Sequence, residues 1–135
     1  MRVTAGHAEA FGWIEARTGC VLTRNARAIQ ALDVSGRIRG VIAYDMWTES
    51  AVQAHMAVDS PVVWRSLLRP AFSYPCVEAG RSLILGIIAD DNAKSLAMVR
   101  RLGFTEKHRV VDGWSVGVDL VVFELRRHEC RWLEA

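Results

Sequence analysis

The hydrophobic period changes from two to helical spacing at Asp59-Ser60-Pro61, and that change constrains the fold more than any other feature. Upstream of it the apolar residues alternate. Ala28 to Val34 is one such run and Ser35-Gly36 is a tight turn signal. Arg37 to Trp47 resumes the alternation, with Ile38, Ile42, Tyr44 and Met46 on one face. Thr48-Glu49-Ser50 makes a second turn, and Ala51 to Val58 sets Val52, Ala54, Met56 and Val58 on one face. Successive side chains of a strand point to opposite faces, so three alternating runs with short turns predict an antiparallel meander. Downstream the spacing is helical. Ser60 is placed as an N-cap and Pro61 as the first helical residue, where its missing N–H costs nothing. Val62, Val63, Ser66 and Leu67 recur behind it, and Pro70 and Pro75 predict a break or restart before Gly80.

The remaining elements follow from the same patterns. Ser82 to Ala89 is apolar without alternation, as suits a strand covered on both faces. Asp91 to Leu102 reads as a helix ended by Gly103, and Thr105 to Val111 and Val118 to Arg126 as two strands separated by Asp112-Gly113. Before the meander, His7 to Arg17 clusters Ala10, Phe11, Trp13 and Ile14 on a helical face, with Gly19 behind it. Cys20 to Thr23 reads as a short strand. Antiparallel strands followed by a β-α-β crossover mean a mixed sheet with helices on its faces, an α+β (mixed α/β) fold. No linker, repeat or low-complexity segment divides the chain, which predicts a single domain over 1–135.

Composition enters through what it excludes. With 51% apolar residues and a net charge of +2 the chain does not match a disordered one. The longest purely apolar stretch, Leu83 to Ala89, is far below the roughly 18 residues of a membrane-spanning helix. No dense basic stripe points to nucleic acid. Cys20, Cys76 and Cys130 form neither a C-x-x-C pair nor a disulfide framework, so reduced thiols in the cytoplasm are expected. The start, Met1 to His7, has no apolar signal-peptide region. His128 and Cys130 lack a second ligand pair, so no metal site is expected.

The most specific stretch is Asp91-Asn92-Ala93-Lys94-Ser95-Leu96-Ala97-Met98-Val99-Arg100-Arg101-Leu102-Gly103-Phe104. An Asn closing a buried strand, a small residue three later and Leu-Gly-Phe closing the helix resembles the GNAT family of N-acetyltransferases. The meander before it and the paired strands after it match that family's order along nearly the whole chain. The ending Arg127 to Leu133 is similar to the tail of short GNAT-like proteins of phages and prophages. The resemblance implies a mostly antiparallel mixed sheet with splayed parallel central strands and helices on both faces. Those central strands are Ala51 to Val58 and Ser82 to Ala89, and acetyl-CoA is the implied co-substrate. Backbone groups of Met56, Ala57 and Val58 are then expected to pair with its pantetheine arm, as in strand addition. An amine acceptor attacks the thioester directly, and backbone N–H groups stabilise the oxyanion.

Two positions depart from the family's pattern. Asp59-Ser60-Pro61 stands where a glycine-rich loop cradles the pyrophosphate, and Val99 stands where a Tyr general acid is usual. Arg65, Arg69 and Arg81 are candidate phosphate ligands, or else ordinary solvated positions. Arg100, Arg101, Lys107, His108 and Arg109 form either a solvated basic surface or a contact for the adenosine 3′-phosphate. His55, opposite in phase to Val52 and Ala54, is either the base that takes a proton from the ammonium or a histidine satisfied by hydrogen bonds. Asp45 and Glu49 flank the strand ends and either hold a cationic amine or sit as exposed turn carboxylates. Asn92 either positions the ligand or caps the following helix, and Ser95 is a small residue beside the cofactor channel. The function expected is acetyl-CoA-dependent N-acyl transfer, with a catalytically inactive acyl-CoA-binding or interaction module as the alternative. A homodimer interface is expected along the C-terminal strand, between Trp114 and Trp132.

Overall fold

The computed structural model describes residues 1–133, so 134 and 135 of the expected domain lie outside the described residues. The chain runs β1 (Arg2–Gly6), α1 (Ala8–Thr18), β2 (Arg27–Leu32), β3 (Ile38–Asp45), β4 (Ala51–Val58), α2 (Trp64–Ser73), β5 (Leu83–Ala89), α3 (Ala93–Arg101), β6 (Thr105–Ser115) and β7 (Val118–Arg126). All the strands join one seven-stranded sheet in the order β1-β2-β3-β4-β5-β7-β6. Neighbours are antiparallel except β4 and β5, the central parallel pair.

Alternation along the strands sends two sets of side chains to two faces. On one, Ala10 and Ile14 of α1 pack on Ala28, Val41 and Ala43. On the other, Val63, Leu67, Ala71 and Phe72 meet Ile29, Ile42, Tyr44, Val52 and Ile84, and α3 adds Leu96 and Val99. The helices therefore cover both faces. Gly40 permits the close seat of α2. A Cβ there would stand 2.9 Å from Leu67 Cδ1 and 3.0 Å from both Val58 Cγ1 and Val63 Cγ1. Behind α3, Gly103 takes φ +104 and the Phe104 N–H donates to the Val99 carbonyl at 3.1 Å, so the left-handed residue stops the helix.

Several local expectations are corrected. Strand β1 went unread because Arg2 to Gly6 is too short and too polar to announce itself; it exists by pairing with β2. Cys20 to Thr23 is a loop, tied by the Thr23 N–H to Asp45 Oδ2 at 3.1 Å. Ser60 sits extended ahead of a 3-10 turn, Pro61–Val63, but its hydroxyl caps nothing. Pro70 lies inside α2 without ending it, and Pro75 is absorbed in a wide turn, Tyr74–Glu78. Asp112-Gly113 is a bulge within β6 and not the reversal, which comes at Gly117. Trp132 donates its Nε1–H to the Leu102 carbonyl at 2.8 Å and stacks on Phe72 at 6.4 Å. That ring is used within the chain, whereas Trp114 is exposed. Among the described residues no helix is long and apolar enough to cross a membrane.

Candidate active site

Strands β4 and β5 pair only at their beginnings, through Ala51–Leu83, Val52–Ile84 and Gln53–Leu85. Beyond that point β4 stays on β3 as far as Val58, and β5 stays on β7 as far as Ala89. Each strand keeps its outer partner while the inner edges separate. A cleft of about 770 Å³ opens between them, lined by Ala54, His55 and Met56 on one side and Gly86 to Ala89 on the other. Of the residues expected to meet the pantetheine arm, Met56 lines this cleft; Ala57 and Val58 continue the same unpaired edge above it.

One face of the cleft carries a hydrogen-bonded pair. Asp45 lies opposite Gln53 and Ala43 opposite His55, so Asp45 and His55 are diagonal neighbours on one face of the sheet. His55 Nε2 is 2.9 Å from Asp45 Oδ1. Asp45 is only 1% exposed, and its other oxygen accepts the Thr23 N–H. An ionised carboxylate can only accept, so Nε2 is the nitrogen that donates to Asp45, and Nδ1 faces away from that bond. Nδ1 has no hydrogen-bond partner among the described residues. Directly after Asp45 the backbone of Met46 turns to φ +50, and its N–H donates to Thr23 Oγ1 at 3.2 Å. Thr23 thereby fixes both the carboxylate and the turn behind it. Asp45 is thus a buried partner of His55 and not an exposed turn carboxylate. The alternation of β3, which puts Asp45 in phase with Ala43, was the signal for it. Glu49 is exposed and does not line the cleft.

Asn92 and Ser95 line the far side. Asn92 Oδ1 accepts the Ser95 N–H at 3.2 Å, so the side chain caps α3, while its NH2 group is left to donate elsewhere. Val99 is buried beneath and brings no hydroxyl. No tyrosine lines the cleft. Tyr44 is fully buried and donates to the Ala71 carbonyl at 2.7 Å, and burial pushes its hydroxyl well above its usual range. Tyr74 packs on it at 5.3 Å. Cys20 lines the cleft, with its thiol pushed up by burial, and the buried Cys76 is pushed up to about 11 by the same cause.

The turn after β4 is poorly furnished with free donors. Pro61 has no N–H, Val63 donates back to Ser60 and Trp64 to Pro61 and Val62. The Asp59 carboxylate is neutralised by Arg39, at 2.5 Å, a partner that sequence reasoning missed because it comes from the neighbouring strand. Arg65 and Arg69 are exposed on α2 and outside the cleft. Arg81 is not with them. It precedes β5, at the end of the sheet where β4 and β5 are still paired, donates to the Ala79 carbonyl and stands 5.1 Å over Trp47. Of the basic residues near β6, Arg100 and Arg109 engage Glu106 at 3.3 Å each and Lys107 reaches Glu124 at 3.9 Å.

Solved structures share this fold. A variant of the spermidine N-acetyltransferase SpeG from Vibrio cholerae superposes with a TM-score of 0.77 at 11% identity, covering 99% of this chain and 98% of that one. A crystal structure of the spermidine/spermine N-acetyltransferase SpeG from the same organism gives 0.73 at 12% identity, over 93% of this chain and 91% of that one. A chimera of SpeG and hSSAT gives 0.68 at 14%, over 81% and 71%. No protein-family model and no curated protein matches the sequence. The likeness is one of fold: a GNAT-like mixed sheet with splayed central strands.

Proposed function

We propose that residues 1–135 act as one acetyltransferase domain, which moves an acetyl group from acetyl-CoA directly to an amine. The observation that carries this reading is the opening of β4 from β5 beside the His55–Asp45 pair. The bare edge of Ala54 to Val58 offers backbone donors and acceptors to an extended amide-bearing arm, as a missing strand would. Asn92 adds its NH2 group from the opposite wall. With Nε2 held by Asp45, His55 takes a proton from the acceptor's ammonium at Nδ1. The amine then forms its C–N bond to the thioester carbonyl carbon, and a backbone N–H of β4 stabilises the oxyanion. The C–S bond breaks, and the thiolate takes the second proton of the attacking nitrogen through the imidazole or water. Arg65 and Arg69 are the cations nearest in sequence to the turn after β4 and would meet the phosphates there. The three free thiols suit a cytoplasmic setting.

A second reading, an inactive acyl-CoA-binding or interaction module, draws on Val99 in place of a hydroxyl acid and on the donor-poor turn at Asp59-Ser60-Pro61. Calorimetric titration with acetyl-CoA and CoA, followed by thiol release with a panel of amines, separates the two. Micromolar binding with amine-dependent release supports transfer. Binding without release from any amine supports an inactive acyl-CoA binder, and absence of binding at millimolar ligand refutes transfer and points to the interaction module.

A further inference from the structure

The lining of the cleft restricts what can enter it. Three of the chain's exposed large apolar side chains, Val21, Met46 and Trp114, line this one cleft, and Leu120 joins them. Large apolar groups left in water and gathered at one concavity mark a place where an apolar surface docks. The charged lining is equally restrictive: it has no lysine or arginine, and its carboxylates are Asp45 and Asp91. Asp45 already serves His55 and Thr23. Asp91 stands beside Asn92 at the head of α3, on the wall assigned above to the acyl donor. On the wall that carries Val21 and Met46, one ammonium can be matched by the His55–Asp45 pair, and no other carboxylate lines that wall.

We infer that the acceptor is a primary amine with a single positive charge on an apolar body, and not a polyamine. The inference rests on the acetyltransferase reading of the cleft and narrows it to a substrate class. Each methylene of such a body that leaves water is worth roughly fourfold in binding. Bringing a second ammonium against Val21 or Met46 forfeits hydration with nothing in return.

Heptylamine and hexamethylenediamine test this directly, since they match in length and differ in having a methyl or an ammonium at the far end. With saturating acetyl-CoA, kcat/KM for heptylamine is expected to exceed that for the diamine by about tenfold or more. Val21→Glu, at an exposed loop position that folding does not depend on, should supply the missing counter-charge and reduce that ratio about tenfold. A diamine acetylated as well as heptylamine, or a ratio unmoved by Val21→Glu, would overturn the inference while leaving the acetyltransferase reading in place. If neither amine is acetylated, that reading fails, and calorimetry on the same samples decides the inference: tighter binding of heptylamine upholds it, and equal or absent binding of both ends it.

Discussion

The same two strands behave differently at their two ends. Over Ala51 to Gln53 and Leu83 to Leu85 they are hydrogen-bonded and closed. Behind that half lie Tyr44, Phe72 and Ile84, all fully buried, with the Tyr44 hydroxyl satisfied and its ring packed against Tyr74 and Trp47. Three residues further on, the strands part, and the space holds His55, Asp45 and partly exposed Met56 and Ile88. What separates them is partnership on the outer edges: β3 holds β4 to its end and β7 holds β5 to its end. With every outer bond made, the twist natural to adjacent strands divides the inner edges at little cost. If the closed half supplies stability and the open half the proposed chemistry, mutations in the two should read out in different experiments.

The largest separation is expected at His55. Replacement by Gln keeps a donor for the buried Asp45 and removes the base. The turnover should fall by about 10²- to 10⁴-fold, the usual worth of a positioned base, with the unfolding midpoint nearly unchanged. A variant as active as the parent would take His55 out of the mechanism and leave the open half without its central group.

How much of this was legible in the sequence differs between the halves too. Period-two alternation at residues 28 to 58 and the apolar run at 82 to 89 announced the meander and the central strand, because the physics that buries one face also writes the pattern. The splay was reached through the family resemblance of Asp91 to Phe104, not through composition. The alternation of β3 signalled which face Asp45 takes, but its contact with His55 was hidden. It depends on the register of two strands, and a register slip of one residue would send His55 to the opposite face. Arg39 on Asp59 was hidden for the same reason. Strand β1 has no pattern of its own and is defined by its neighbour.

In the closed half the effect moves to stability. Phe72→Ala removes a fully buried ring that packs against Phe104 and Trp132, and should cost about 3–5 kcal/mol in denaturant unfolding. Activity per folded molecule should stay at the parental level. Opposite Val58, at the open end of β4, Gly40→Ala should cost less, about 1–3 kcal/mol, because the new methyl meets Leu67, Val58 and Val63 at 3.0 Å or closer and α2 must lift from the sheet. A neutral or stabilising Ala at this position would mean that α2 is seated more loosely than the structure shows. Loss of activity in Phe72→Ala without loss of stability would erase the division between the halves.

Asn92 stands where the two roles meet, so the smallest expected effects are also the most discriminating. Its carbonyl oxygen caps α3, and its NH2 group is free on the wall of the cleft. Asn92→Ala removes both and should lose about 1 kcal/mol of stability with the cap. Asn92→Asp keeps the capping oxygen, adds a negative charge at a helix N-terminus where charge is favourable, and removes only the donor. Its stability should therefore equal or exceed that of the parent. If the amide also holds the acyl donor, affinity for acetyl-CoA should drop in the Asp variant by about two- to tenfold, the worth of one neutral hydrogen bond. Unchanged affinity in Asn92→Asp, with the cap intact, would confine Asn92 to the helix and assign recognition of the acyl donor to the open edge of β4. The two variants thus tell a residue that builds the cleft wall from one that also reads what lies against it, which neither stability nor affinity measured alone can do.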